Sequence, residues 1–169
     1  ASSTVVVGGT ATVDEALQEL FLKIRENLQI RRFTRLEGIL VPYIHGGGKI
    51  GVLVQAASPA GATEAVLTAA KDCALQIAAM RPSYLNRKAV PAAVLEQEKT
   101  VVLVQMAEDP KMANKPEQVR AKIAEGKVGK YYSENCLLEQ TFVKDGSMNV
   151  KQYVDSVAKA AGTTIEITG

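Results

Sequence analysis

ENLQIRRFTRLEGILVPYIHGGGKIGVLVQ, residues 26–55, decides the fold, because most other segments read as helices and the main sheet has to be built here. In 39–45, Ile39, Val41 and Tyr43 fall on one face and Leu40, Pro42 and Ile44 on the other. In 50–55, Ile50, Val52 and Val54 alternate with Gly51, Leu53 and Gln55. Both runs are thus apolar on two sides, as expected of largely covered strands. Between them Gly46, Gly47 and Gly48 supply the positive-φ positions of a short reversal, so the pair predicts a β-hairpin. Glu37-Gly38 marks another turn or bulge, which makes the arginine-rich run 30–36 a further expected strand.

Upstream, Thr12 with Glu15 forms a capping box. Val13, Ala16, Leu17, Leu20, Phe21, Ile24 and Leu28 then recur at helical spacing. Residues 1–12 are small and Ser/Thr/Gly-rich and read as a disordered or extended leader, with 5–7 as a candidate short strand. Downstream, Val66, Ala69, Ala70, Cys73, Ala74, Ile77 and Met80 trace a second helix ended by Pro82. After a connector, Pro91 fits the start of a third helix. Within it TVVLVQ, residues 100–105, has strand propensity and leaves helix and strand both open. A polar turn at 108–115 and Pro116 introduce another helix to about residue 132, so that 91–133 reads as a projecting αα-hairpin. A short extended piece at 137–143, a turn at 144–147, a helix over 149–161 capped by Gly162, and a final strand over 163–168 complete the chain. The class is α+β: a small antiparallel sheet of about three strands, helices packed on one face, and a protruding antiparallel helical hairpin.

Composition bounds the function. The chain has 169 residues, enough for a real core, and its 47% hydrophobic and 22% charged residues fit a globular domain. A net charge of +2 excludes neither protein nor nucleic-acid partners, although a strongly electrostatic nucleic-acid binder carries a larger basic excess; DNA is not an expected partner, and RNA is only an alternative one. Arg31, Arg32 and Arg35 lack interleaved aromatics and read as a solvated strand face, and Lys111, Lys115, Lys122, Lys127 and Lys130 as the wet side of the hairpin. Cys73 and Cys136 have no C-x-x-C spacing; Cys73, inside a helical pattern, is expected as a free, buried thiol, and the compartment as a reducing one. No run approaches the about 18 apolar residues of a membrane span. The chain begins Ala-Ser-Ser-Thr without Met and is expected to be a processed or excised product.

The sequence carries no recognisable pattern for covalent chemistry. His45 is the only histidine, so a multi-histidine metal site is excluded. GGGK at 46–49 is not a phosphate loop, since Tyr43 stands where the first glycine would be and Ile50 follows the lysine. No nucleophile elbow or dinucleotide fingerprint is present, and no cofactor is expected.

Three blocks together resemble bacterial-type elongation factor Ts. The first is I-R-E-N-L-Q-I-R-R-F with L-E-G behind it, then Y-I-H-x-x-x-K-I-G-V-L-V-Q. The second is A-L-Q-I-A-A-M-R-P-S-Y, then V-L-E-Q-E-K. The third is N-K-P-E-Q-V-R-A-K-I-A-E-G-K-V-G-K-Y-Y, then L-L-E-Q-T-F-V-K-D. The resemblance covers about residues 20–168 and looks like the second core subdomain of that family. It implies a coiled-coil hairpin over 91–132, and hence a helical TVVLVQ. It also implies a partner, the GTPase elongation factor Tu in its GDP form, from which the family promotes nucleotide release without covalent chemistry. Matching family contact positions implies that Ile24, Arg25, Glu26, Asn27, His45, Val143 and Lys144 touch that partner. A homodimer or an N-terminal half completing the chain, and a bacterial cytoplasm or an organellar matrix or stroma, are the settings it implies. Three departures from the resemblance stand out: the family's N-terminal ubiquitin-associated-like helical module is not found in this sequence, the family's T-D-F-V motif, whose Asp and Phe reach the magnesium and nucleotide region, is absent, and Arg25 stands where the family usually has the glycine of I-G-E-N. Binding without exchange, or an RNA- or ribosome-associated role for the arginines and hairpin lysines, are the alternative functions.

Overall fold

The computed structural model describes residues 10–113 and 115–169, and the candidate strand at 5–7 lies outside them. The chain divides into two units, residues 1–35 and 36–169. In the first, α1 (Val13–Ile24) opens on the expected capping box: Thr12 Oγ1 accepts the Glu15 N–H, and the Glu15 carboxylate accepts the Thr12 N–H. The helix ends four residues earlier than its apolar spacing suggests. Arg25 turns into the left-handed region at φ 55° and donates its N–H to Phe21 O. Residues 25–37 carry no regular secondary structure, so the strand expected at 30–36 is absent.

In the second unit β1 (Ile39–His45) and β2 (Ile50–Ala57) pair antiparallel, with Val41 opposite Val54 and His45 opposite Ile50. The turn places Gly46, Gly47 and Gly48 at φ 61°, 66° and 93°, as the glycine run requires. The other edge of β2 is taken by the chain's end, β5 (Glu166–Ile167), and the Gln55–Gly169 hydrogen bonds extend that ladder. The sheet order is β1-β2-β5. β5 and the chain end reach only residues 55–57 of β2, and β1 carries Pro42, which has no N–H for a ladder.

The strands are covered on one face, not two. Val41, Val54 and Ala56 point into the core, whereas Ile44 is 68% and Leu53 44% exposed. On the inner face lies α2 (Glu64–Met80), whose Val66, Ala69, Ala70, Cys73 and Ala74 are buried; the small side chains let the helix sit close to the sheet. Met80, at the end of the expected stripe, is exposed. The last helix, α6 (Val150–Ala160), adds Val150, Val154 and Ala158 to the same core, with Leu137, Phe142, Ile165 and Ile167. Asn149 and Gln152 form a capping box at its start, and Gly162 follows its end at φ 64°.

The helical hairpin is α3 (Ala92–Glu108), a four-residue turn of helix, α4 (Pro110–Ala113), and α5 (Glu117–Asn135). TVVLVQ is helical. Val102 and Met106, four residues apart, face Ala124 of α5 in a small core of their own, and Thr100 satisfies its hydroxyl on Glu96 O within the helix. Packing on a second helix outweighs the weak β preference of three valines. At the root of the hairpin, Ser83 and Tyr84 donate their N–H groups to Asn135 O, and Arg87 pairs with both carboxylate oxygens of Glu139. Beyond it, β3 (Thr141–Phe142) and β4 (Asp145–Asn149) form a two-stranded hairpin, so part of the stretch read as a turn at 144–147 is a strand.

Candidate partner-docking site

Val143 and Lys144 form the tip between β3 and β4, and α2 holds both of them. Gln76 Oε1 accepts the Val143 N–H at 2.8 Å, and Asp72 Oδ1 accepts from Lys144 Nζ at 2.5 Å. Asp72 and Gln76 are four residues apart on one helix face, which sets their side chains one turn apart along the same edge. Each is held in turn. Tyr153 of α6 donates its hydroxyl to Asp72 Oδ2 at 2.6 Å while its ring stacks on Phe142. Gln76 Nε2 donates to Gln140 Oε1 and Thr141 O, both at 3.1 Å, and Gln140 Nε2 donates to Glu134 O at 2.8 Å. Burial first, and the hydrogen bond to Asp72 second, push the Tyr153 hydroxyl well above its ordinary pKa, so it stays a donor at any physiological pH. On the other flank of the tip, the Ser147 hydroxyl and N–H bond Asp145 and hold its carboxyl below the ordinary range.

The result is a short, exposed turn with a rigid back. The Val143 side chain is 41% exposed, and the Lys144 side chain keeps half its surface in water, whereas Asp72, Gln76 and Gln140 behind them are buried. An apolar side chain beside an ammonium on a fixed turn is the kind of surface that can dock on a partner.

His45 lies at the end of β1, where its ring stacks on Tyr43 and its Nδ1 shares a hydrogen bond with the Tyr43 hydroxyl at 3.2 Å. The two residues are on one strand face by the period of two. No hydrogen bond, ion pair or ring contact joins His45 to the Val143–Lys144 turn among the described residues. Ile24, Arg25, Glu26 and Asn27 belong to the first unit, where Ile24 closes α1, Arg25 is its left-handed cap, and all four side chains are exposed.

Asp72, Gln76, Gln140 and Tyr153 had no place among the sequence candidates. The available signal was two polar residues at i and i+4 beside the apolar stripe of an alanine-rich helix. Their partners lie 64 to 81 residues downstream and are invisible to local spacing. No cluster of His, Cys, Asp and Glu able to hold a metal exists among the described residues. Nor is any described helix long and apolar enough to cross a membrane. Cys73 is free and buried, as its place in the apolar helix pattern suggests, and so is Cys136; burial with the neighbouring Asp72 pushes the Cys73 thiol up to about 12.

Comparison with known proteins gives one family. The family model described as Elongation factor TS matches residues 1–168. An elongation factor Ts of Clostridium kluyveri is 42% identical over 160 residues, covering 93% of this chain and 51% of the relative. One from Clostridium botulinum strain Eklund 17B is 40% identical over the same span and shares, and one from strain ATCC 19397 is 39% identical over 158 residues, covering 92% and 50%. The chain thus spans about half the length of the curated relatives it matches.

Proposed function

The chain belongs to the elongation factor Ts family, and from that membership we propose that it binds the GTPase elongation factor Tu in its GDP form and promotes release of the nucleotide. The observation that carries this reading is the family match over nearly the whole chain. Ile24, Arg25, Glu26, Asn27, His45, Val143 and Lys144 are the proposed contacts. The rigid backing of the Val143–Lys144 turn supports the last two.

The activity is one of differential binding. If the chain stabilises the nucleotide-free conformation of the GTPase, then bound nucleotide must weaken the chain's affinity by the same factor by which the chain weakens nucleotide binding. No bond is made or broken and no cofactor is needed. A bacterial cytoplasm or an organellar matrix or stroma is the setting that fits a translation factor.

Release of labelled GDP from elongation factor Tu tests the proposal. Addition of the chain is expected to accelerate release, and excess GDP to displace the chain. Because T-D-F-V is absent from the sequence, binding without acceleration is the second reading. A complex detected by titration with an unchanged release rate would establish it in place of exchange, and absence of any complex would refute both.

A further inference from the structure

Among the described residues the buried polar side chains are Asp72, Gln76 and Gln140, and all three serve the Val143–Lys144 turn. A polar group taken out of water is costly unless it is fully partnered, and a core of alanine and valine could have filled these positions. Their partners are specific. Gln76 holds the backbone of Val143, Asp72 holds the ammonium of Lys144, and Gln140 and Tyr153 fix the orientation of those two.

We propose that Asp72 and Gln76 are positioning residues for partner docking: from α2 they pre-organise the Val143–Lys144 turn, so that the exposed Val143 side chain meets the GTPase already in its bound geometry. This rests on the reading that Val143 and Lys144 touch that partner. A two-residue tip held only by its own strands would lose conformational freedom on docking; one held at both residues from behind has lost it on folding. Lys144 contributes in two ways. One of its N–H groups closes the clamp on Asp72, while the side chain, half exposed, has further donors for solvent or partner.

A double-mutant cycle separates positioning from mere support of the core. Asp72→Asn keeps the shape and an acceptor for Tyr153 but loses the charge that holds Lys144. Affinity for GDP-bound elongation factor Tu, titrated well below the unfolding temperature of each variant, is expected to fall about fivefold for Asp72→Asn and about tenfold for Val143→Ala. In the Val143→Ala background Asp72→Asn is expected to add less than about twofold, because the anchor it positions is gone. Tyr153→Phe retains the ring stack on Phe142 and frees one oxygen of Asp72, which makes it the milder variant should Asp72→Asn not fold. It is expected to weaken binding about twofold, and only when Val143 is present.

Equal losses in both backgrounds would overturn the proposal, as would unchanged affinity in Asp72→Asn and Tyr153→Phe while the unsubstituted chain binds. Unchanged affinity in Val143→Ala would remove the turn from the interface and the proposal with it. Failure of the unsubstituted chain to bind would refute the functional reading itself, a result distinct from the others.

Discussion

At Arg25 an apparently ordinary helix residue proves to be a conformational exception. It sits in the left-handed region at φ 55°, where an L side chain crowds its own backbone at a cost of roughly 1–2 kcal/mol and glycine is at ease. The family's usual glycine in I-G-E-N thus has a physical explanation: it is the residue that lets α1 stop and the chain turn away. Arg25→Gly is therefore expected to stabilise the end of α1 by about 1 kcal/mol, read as slower hydrogen exchange at the last-turn amides. Unchanged protection would mean that the arginine side chain offsets the strain. The same substitution removes a proposed contact, so a more stable helix with weaker partner binding would assign Arg25 both roles. Periodicity could not have located this stop. Leu28 continues the apolar spacing, and the helix ends at Ile24 because of the backbone of the next residue.

Among the elements, the helical hairpin shows how context decides an ambiguous propensity. TVVLVQ has strand chemistry by composition, yet only Val102 and Met106 of that neighbourhood are buried; Val101, Leu103 and Val104 stay exposed on the helix. The hairpin core is small, consisting of Val102, Met106 and Ala124 with Met112 and Ile123 against it, so helix propensity matters more here than in the sheet core. In α5, Gly126 and Gly129 lie in the helix interior with no atom within 4 Å of where a Cβ would stand. Gly126→Ala and Gly129→Ala should each stabilise the hairpin by about 1 kcal/mol, measured by thermal unfolding or by amide protection across α5. Loss of stability in either would show that close approach, not chance, keeps glycine there. The pairing of β1 with β2 is legible in the sequence, because three glycines between two alternating runs are local signals, whereas the exposure of one face is not. The sequence offers two further strands, at 30–36 and 163–168, and only the second pairs with β2, at Ala56 and Ala57.

For the second unit as a whole, one core joins the sheet, α2 and α6, and Cys73 lies at its centre with no exposure. Its thiol, pushed up to about 12 by burial and then by Asp72, stays protonated and inert at neutral pH. Thiol-specific reagents should therefore label Cys73 only as fast as the core opens, and denaturant should raise that rate in step with the unfolding curve. Rapid labelling of the native chain would contradict the packing of α2 on the sheet. The sequence by itself determined the α+β class, the glycine hairpin, the capped start of α1, the Gly162 cap after α6, the buried thiol of Cys73 and the family, because each is carried by residues near one another in the chain or by a run of matched positions. Only the tertiary structure decided which strand completes the sheet, that one sheet face stays exposed, and that Asp72 and Gln76 stand behind the Val143–Lys144 turn. Those outcomes depend on groups 64 to more than 100 residues apart competing for the same hydrogen bonds and the same buried volume, and no local spacing records who wins.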